Sequence, residues 1–268
     1  MLAALLAALI LAGCEGGPIP PPPVEQPSDL GAIRGIDLPT DASDVLNELR
    51  GNRLDFVARY YRDPASRWPT LSVGEVQRLS SLGLKIVTVW EWHSGTPAYF
   101  SYASGYYDGV SAYRQAYSVG QPADSAIYFA VDFNAGGYQL WQVDQYFRGV
   151  AAAFAAVSRG RPGYKVGVYG SGAVCDAVKR AGLARYSWLS SAKAWAGYET
   201  YADWNIRQGD RLPNLSFDHD SDEATDDYGG FSLANYAIAA PMVSAAPRSA
   251  QPSPRPRPSF LGGISSLF

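Results

Sequence analysis

Cysteine and histidine are scarce in this 268-residue sequence, which contains two of each. Two histidines are too few for a typical zinc cluster, in which Cys and His side chains supply most of the four ligands, so no metal is expected. The cysteines, Cys14 and Cys175, cannot form the disulfide framework of a small secreted domain. We expect Cys175 to be a small buried apolar residue on a helix.

The chain also lacks a strong net charge and the glycine motifs of nucleotide-binding folds. Its formal net charge is −3, so the basic surface needed for nucleic-acid binding is missing and no nucleic-acid partner is expected. No G-x-G-x-x-G or G-x-x-x-x-G-K-[ST] motif follows a predicted strand, which disfavours an open doubly wound sheet. We expect no cofactor.

The apolar N-terminus is too short to span a membrane, because a span takes about 20 apolar residues. It ends at Leu11-Ala12-Gly13-Cys14, and a short apolar stretch before small residues is typical of a signal peptide. Leu-Ala-Gly-Cys resembles the lipobox of bacterial lipoproteins, which implies that Cys14 is lipidated and anchors an exported protein to the membrane. No Lys or Arg precedes the apolar run, so an uncleaved apolar N-terminus is the alternative.

Proline-rich segments set the domain boundaries. We divide the chain into a lipoprotein signal peptide at 1–14, a Pro-rich linker at 15–30, one folded domain at 31–239 and a disordered Pro/Arg-rich tail at 240–268. Proline runs favour extended polyproline II and act as semi-rigid spacers. The middle segment is long enough to bury a sizeable core. We expect this domain to be a monomer.

Strand-like and helix-like patterns alternate along the domain. Apolar, β-branched and aromatic runs predict eight strands, the last three weaker, at 33–38, 56–61, 85–92, 126–133, 165–169, 186–190, 204–208 and 216–219. Helical spacing is found between them, chiefly over 72–82, 102–117, 140–157 and 171–182. This alternation predicts parallel βαβ units and a single α/β (β/α)8 barrel of the TIM type. The domain is near the lower size limit of that fold, so helices around strands six to eight must be short or missing.

Acidic residues are found at the ends of several predicted strands, namely Asp37, Glu91, Asp132, Asp218 and Asp220. The carboxyl ends of barrel strands meet on one face, where active sites are built, so we expect these acids around one cleft. Glycosidic bond cleavage commonly uses two carboxyl groups, one as proton donor and one as stabiliser or base. The set therefore predicts a glycoside hydrolase site.

Simpler interpretations exist for single acids. Capping of the following helix explains Asp37 equally well. The acids at 222–227 are interpreted as a solvated surface loop. A calcium loop at 218–222 is disfavoured, because the full D-x-[DN]-x-[DN]-G-x5-E pattern is absent.

Aromatic residues near the same strand ends support a glycan site, because sugar rings present apolar faces that pack on flat side chains. These residues are Tyr60, Trp68, Trp90, Trp92 and Trp195, although Trp90 or Trp92 is equally open to barrel packing. The predicted substrate-binding set comprises Arg59, Tyr60, Trp92, Asn134, Trp195, Gln208, Asp218 and Asp220.

Five segments, in this order, resemble one known family: Arg34-Gly35-Ile36-Asp37, Phe56-Val57-Ala58-Arg59-Tyr60-Tyr61, Val89-Trp90-Glu91, Ile127-Tyr128-Phe129-Ala130-Val131-Asp132-Phe133 and Val168-Tyr169-Gly170-Ser171. They resemble the glycoside-hydrolase-like domain of exported actinobacterial proteins, long described as a domain of unknown function. That domain is similar to the Chalaropsis-type lysozymes, which are (β/α)-barrel muramidases. The resemblance covers about residues 33 to 228 and implies the same barrel.

The resemblance implies a role for each matched acid. Asp37 corresponds to the acid of the lysozymes' first strand, and Asp132 to the first acid of their D-x-E motif. This motif reads Asp132-Phe133-Asn134 here, and Asn134 cannot donate a proton as the lysozyme glutamate does. We therefore assign the general acid to Glu91, one strand earlier, with Asp132 and Asp37 orienting the substrate or stabilising the transition state.

Three functions remain open at this point. The first is a glycosidase acting on peptidoglycan or another envelope glycan, and the second is a catalytically inactive glycan-binding surface lipoprotein on the same barrel. The third is an envelope scaffold in which the proline-rich tails carry the function. Strand order favours the first, while Asn134 motivates the second.

Overall fold

A computed structural model describes residues 32–233. Eight strands form a closed barrel in chain order, β1 through β8. They are β1 Ile33–Asp37, β2 Phe56–Tyr61, β3 Lys85–Trp90, β4 Ala126–Ala130, β5 Lys165–Gly170, β6 Tyr186–Leu189, β7 Ile206–Gly209 and β8 Asp220–Ala224. The predicted α/β barrel is thus confirmed. The third and fourth strands end before the predicted 92 and 133, so Glu91 and Asp132 lie just past them.

Five α-helices of the described residues pack on the outer wall of the barrel: α1 Leu46–Gly51, α2 Val73–Ser81, α3 Tyr102–Ser118, α4 Tyr138–Val157 and α5 Gly172–Arg180. Two short 3-10 helices, Ala42–Val45 and Pro97–Tyr99, precede α1 and α3. Serine side chains cap α2, α3 and α5 by accepting a hydrogen bond from a backbone N–H in the first turn. Between β6 and β8, the described chain contains no helix. The expectation that helices are missing near strands six to eight is therefore confirmed.

The eighth strand differs from the prediction in position and direction. The segment predicted as a strand, 216–219, is irregular, and β8 begins one residue later. It pairs antiparallel with both β1 and β7, with Asp220 opposite Asp37. Because β8 runs in reverse, its first residue lies at the mouth formed by the carboxyl ends of the other strands. Asp220 therefore reaches the expected face from the start of its strand.

Large side chains fill the lower part of the barrel. Phe56, Tyr128 and Trp188 are each buried within it. A side chain at Gly35 would collide with the Phe56 ring, and one at Gly167 would collide with the Tyr128 ring. Glycine at these two positions leaves room for the rings, so the barrel interior below the mouth is filled by side chains.

The C-terminal end of the described chain closes the opposite end of the barrel. Tyr228 packs on Phe56 with ring centroids 5.0 Å apart, and its backbone carbonyl accepts a hydrogen bond from the Tyr128 hydroxyl at 2.8 Å. Phe231 pairs with Ile86 through two backbone hydrogen bonds. This seal leaves the mouth as the entrance for a ligand.

Two predictions concern cysteines and the chain ends. Cys175 is fully buried in α5, as expected. Cys14, the proline-rich linker and the tail lie outside the described residues. None of the helices within 32–233 is long and apolar enough to cross a membrane.

Candidate functional site

A polar side chain at or just past the mouth end of each of the eight strands lines a cavity of about 330 Å³. These side chains occupy alternate positions from the barrel interior, because successive residues of a strand face opposite sides. In strand order they are Asp37, Tyr60, Glu91, Asp132, Tyr169, Ser190, Gln208 and Asp220. Trp195 also lines the cavity. Four carboxyl groups and an aromatic side wall thus share one cavity, as the sequence predicts.

Asp37 is the best-anchored acid. The Tyr60 hydroxyl donates to its Oδ1 at 2.7 Å, and Gln208 Nε2 donates to its Oδ2 at 2.9 Å. The same amide donates to Asp220 at 3.3 Å, which links two acids. Burial raises the pKa of Asp37 to about 7, although both hydrogen bonds oppose that rise. Asp37 does not act as a helix cap, because Asp41 caps the 3-10 helix Ala42–Val45 that follows β1.

Gln208 orders this side of the cavity through its other end. Its Oε1 accepts hydrogen bonds from the Tyr169 hydroxyl at 3.0 Å and from the Ser191 backbone N–H at 3.2 Å. These contacts fix the orientation of the amide, so its NH2 group must face the two acids.

Glu91 forms the charged member of the opposite wall. Arg62 NH1 lies 2.7 Å from its Oε2, and the Arg62 side chain is buried. The guanidinium also lies 4.2 Å from the centre of the Tyr60 ring. Gln115 clamps the Arg62 backbone, accepting from its N–H and donating to its carbonyl. A fixed guanidinium thus lies beside Glu91.

Asp132 differs from Glu91 in having no hydrogen bond to its carboxyl group within residues 32–233. Its pKa is raised, first by burial of the carboxyl group and then by the negative charge of Glu91. Ser94 connects the two acids: its hydroxyl donates to Glu91 at 3.2 Å, and its carbonyl accepts from the Asp132 N–H at 2.9 Å. The mouth therefore holds the ion-paired Glu91 beside Asp132, which retains its proton to a higher pH than an ordinary aspartic acid does.

Asp222 lies inside the barrel, one inward position below Asp220. It was assigned to a solvated loop from the sequence, and that prediction is wrong: Asp222 is buried, and neither carboxyl oxygen has a hydrogen-bond partner in the described residues. Burial, with the nearby charge of Asp37, raises its pKa well above the usual range.

The buried acids predict an unusual dependence of stability on pH. The folded-state pKa of Asp37, about 7, exceeds the ordinary value of 3.8, and that of Asp222 is also raised. The folded state thus binds more protons at these two acids than the unfolded state does. Their contribution to stability is therefore fully present below about pH 4 and is lost as the pH rises through 7. We expect the unfolding temperature, followed by circular dichroism, to be higher at pH 5 than at pH 8. Asp37→Asn and Asp222→Asn should flatten this difference, and an equal or higher value at pH 8 in the parent would contradict it.

The mouth continues outward as a longer cleft. A second cavity of about 300 Å³ shares Asp37, Tyr60, Glu91 and Asp220 with the first. A third, of about 310 Å³, continues past Trp68 to Trp92 and His93. Arg62 and Glu91 line both outer cavities. An elongated cleft with exposed aromatic side chains is suited to several units of a sugar chain.

Two predicted substrate-binding residues, Arg59 and Asn134, do not line the cavity at the mouth. Arg59 is fully buried on the outer side of β2, where it forms an ion pair with Glu75. Because Tyr60 faces inward, the adjacent Arg59 has to face outward. Asn134 lies outside the cavity, and its Oδ1 accepts a hydrogen bond from the Ala196 N–H at 2.9 Å. The prediction for Arg59 is therefore wrong, while the one for Asn134 stays a prediction.

The remaining predictions divide between the mouth and the outer cleft. Trp195 reaches the mouth, while Trp92 lines only the third cavity. Asp218 is exposed, pairs with Arg211 at 3.3 Å and lines the second cavity. Trp90 is buried in the outer core and is not part of the site.

Sequence reasoning missed Arg62, Ser94, Tyr169 and Asp222. Arg62 follows Phe56, Ala58 and Tyr60 at intervals of two, so period-two spacing extended past β2 would have found it. The same spacing along β5 leads to Tyr169. Within residues 32–233, no three His, Cys, Asp or Glu side chains are grouped in a way that could hold a metal ion.

Comparison with known proteins gives matches in sequence and in fold. The family model described as "Rv2525c-like, glycoside hydrolase-like domain" matches residues 47–236. The uncharacterized protein YbfG of Bacillus subtilis is 32% identical over 141 residues, which are 50% of this chain and 19% of YbfG. The uncharacterized protein FadG of the same organism is 30% identical over 175 residues, 62% of this chain and 30% of FadG. The chain thus spans less than a third of these curated relatives.

Among solved structures, the Tat-secreted protein Rv2525c of Mycobacterium tuberculosis, in complex with HEPES, matches with a TM-score of 0.61 at 21% identity. The match covers 75% of this chain and 98% of that protein. At this identity the likeness shows the fold.

Proposed function

Because the chain belongs to the family of Rv2525c-like glycoside hydrolase-like domains, we propose that it is an exported protein that hydrolyses a cell-envelope glycan, with peptidoglycan as the substrate. One observation carries this proposal: Glu91 and Asp132 line one cavity, the first ion-paired and the second with a raised pKa. Two carboxyl groups at one cavity, one of them with a raised pKa, are what glycosidic bond hydrolysis commonly uses.

The roles of the two acids follow from their surroundings. Asp132 donates its proton to the leaving glycosidic oxygen as the bond between that oxygen and the anomeric carbon breaks. Glu91, ion-paired with Arg62, stabilises the positive charge that develops on the sugar. Water then supplies the hydroxyl group of the new reducing end, and its second proton restores Asp132. The proton donor in this scheme is Asp132, whereas the sequence alone suggested Glu91.

The other polar groups of the mouth position the sugar. Asp37 and Asp220, joined through Gln208, offer carboxyl oxygens to sugar hydroxyl groups. Trp195 in the mouth and Trp68 and Trp92 in the outer cleft provide flat faces for successive rings. This division of polar and aromatic surface suits a glycan chain better than a small polar metabolite.

The alternative is a glycan-binding protein without catalytic activity. One observation favours it: Asn134, at the position of the lysozyme glutamate, is held by the Ala196 N–H and cannot act as an acid. Incubation of the protein with purified peptidoglycan separates the two functions. Release of soluble reducing ends supports hydrolysis, while sedimentation with the glycan without any release supports binding alone.

Membrane anchoring through Cys14 is part of the same proposal. A lipid anchor would hold the barrel near the envelope, and the Pro-rich segment at 15–30 would act as a spacer. We expect Cys14→Ser to move the protein from the membrane fraction of an expressing bacterium to the soluble exported fraction. Membrane retention of that variant equal to the parent would contradict lipidation at Cys14.

A further inference from the structure

A separate cavity of about 390 Å³ lies on the flank of the barrel, across β7, β8 and β1. We call this cavity the flank groove. It is lined by Arg34, Lys193, Tyr198, Arg207, Asp210 and Glu223, among others. The described chain has no helix between β6 and β8, so the outer wall of the barrel is left uncovered here. In a barrel of this kind a helix normally fills this position.

Strand register places a row of charged side chains along the flank groove. Glu223 of β8 lies opposite Arg34 of β1 and also opposite Arg207 of β7. All three face outward, because the next residue toward the mouth in β8, Asp222, faces the barrel interior. Two guanidinium groups thus flank one carboxylate on a surface of three strands.

The cationic groups of the flank groove are available for a ligand. Within residues 32–233, Arg34, Lys193 and Arg207 have no ion-pair partner within 4.0 Å. Arg207 is positioned by Tyr198, whose hydroxyl accepts a hydrogen bond from NH2 at 3.2 Å and whose ring centre lies 5.4 Å from the guanidinium carbon.

The exposed carboxylates that line the flank groove are fewer than the positively charged side chains. Asp210 and Glu223 are exposed carboxylates in the lining. Asp222 contributes to the wall, but its carboxyl group is buried and its pKa is raised well above the usual range by that burial. In the lining, three cations face two exposed carboxylates, with a guanidinium on each side of Glu223. Glu199, which is not part of the lining, adds a negative charge near Arg207.

The flank groove adjoins the mouth, because Ser191 and Gln208 line both cavities. We propose that the flank groove binds an anionic group, a carboxylate or a phosphate, carried as a substituent by the glycan whose sugar chain occupies the mouth. This inference rests on the proposed function. Arg34 and Arg207 supply the planar donors that bind carboxylate and phosphate through paired hydrogen bonds, and Lys193 adds a point charge. The protein thereby selects acidic glycans over neutral ones.

Binding to two matched glycans tests the inference. The probes are a neutral N-acetylglucosamine hexamer and a peptide-free peptidoglycan strand of six sugars with free lactyl carboxylates. Both are measured by calorimetry with the full chain carrying Asp132→Asn, which prevents cleavage. We expect the acidic strand to bind about 10-fold more tightly, a difference typical of one added charge-assisted hydrogen-bond pair. Arg34→Gln with Arg207→Gln should abolish this preference and leave neutral binding unchanged.

A control and a second measurement separate the possible failures. Arg148→Gln removes an exposed arginine on α4 and should leave the preference intact. Equal binding of both glycans by the parent, or loss of both in the double variant, overturns the flank-groove inference alone. If neither glycan binds, the proposed function fails. The groove is then judged by inorganic phosphate, whose binding must be present in the parent and absent in the double variant.

Discussion

Replacement of Asp132 by Asn is expected to lower the rate of glycan hydrolysis by about 10²- to 10⁴-fold, the range that a positioned acid or base supplies. The amide keeps the shape of the side chain but has no acidic proton for the leaving oxygen. Glu91→Gln should cause a loss of similar size for a different reason, because it removes the negative charge that Arg62 holds in the mouth. Initial rates of reducing-end release from purified peptidoglycan measure both.

Two further variants make this prediction specific. Asp144→Asn removes a partly buried carboxylate on α4, away from the mouth, that pairs with Arg148 at 2.7 Å, and it should leave the rate unchanged. Ser94→Ala removes the hydroxyl that donates to Glu91 and should have a smaller effect than either acid variant. Full activity of Asp132→Asn would contradict its role as proton donor.

Arg59→Met is expected to destabilise the fold by about 3–5 kcal/mol, as is typical when one partner of a buried ion pair is removed. The variant leaves the fully buried Glu75 carboxylate without its charge partner. It also removes the hydrogen bond from NH1 to the Leu38 carbonyl at 2.9 Å, directly after β1. Urea unfolding measures the change in the free energy of unfolding.

Arg148→Met is the matched control for this variant, because it also breaks an Arg–carboxylate ion pair. That pair is at the surface, with about half of the Arg148 side chain exposed. We expect a change of about 1 kcal/mol or less. Equal destabilisation by the two variants would show that burial is not what makes the Arg59 pair important.

The strands that could be predicted from the sequence are those whose side chains are apolar on both faces. Parallel barrel strands are buried by the helices outside and the packed core inside, so β4 appears as a continuous apolar run and β2 is interrupted only by Arg59. In contrast, β8 has the sequence Asp-Ser-Asp-Glu-Ala, which is typical of a loop. Its outer face is uncovered and its inner face lines the mouth, so its position is determined by backbone pairing with β1 and β7 rather than by apolar burial.

The acids of the site could be predicted because an acid at the end of an apolar strand is unusual. Their partners could not be found by that signal. Arg62 follows its strand and is identified only by its spacing from Tyr60, and Ser94 belongs to a loop whose path depends on the fold. Arg59 was wrongly included because proximity in sequence was given more weight than the alternation of strand side chains. The pairing of Glu91 with Arg62 is the reason that we propose Asp132 as the proton donor.

Digestion of purified peptidoglycan in water enriched in oxygen-18 is the most direct test of whether the protein hydrolyses this glycan. We expect soluble fragments whose new reducing ends each carry one oxygen-18 atom, as identified by mass spectrometry. These fragments should be absent when the Asp132→Asn variant is used. Hydrolysis transfers the oxygen of water to the anomeric carbon, so this label reports the proposed reaction and not binding. If no labelled fragments form between pH 4 and 8 while the protein still sediments with the glycan, the proposed hydrolysis is contradicted. The protein is then a glycan-binding protein.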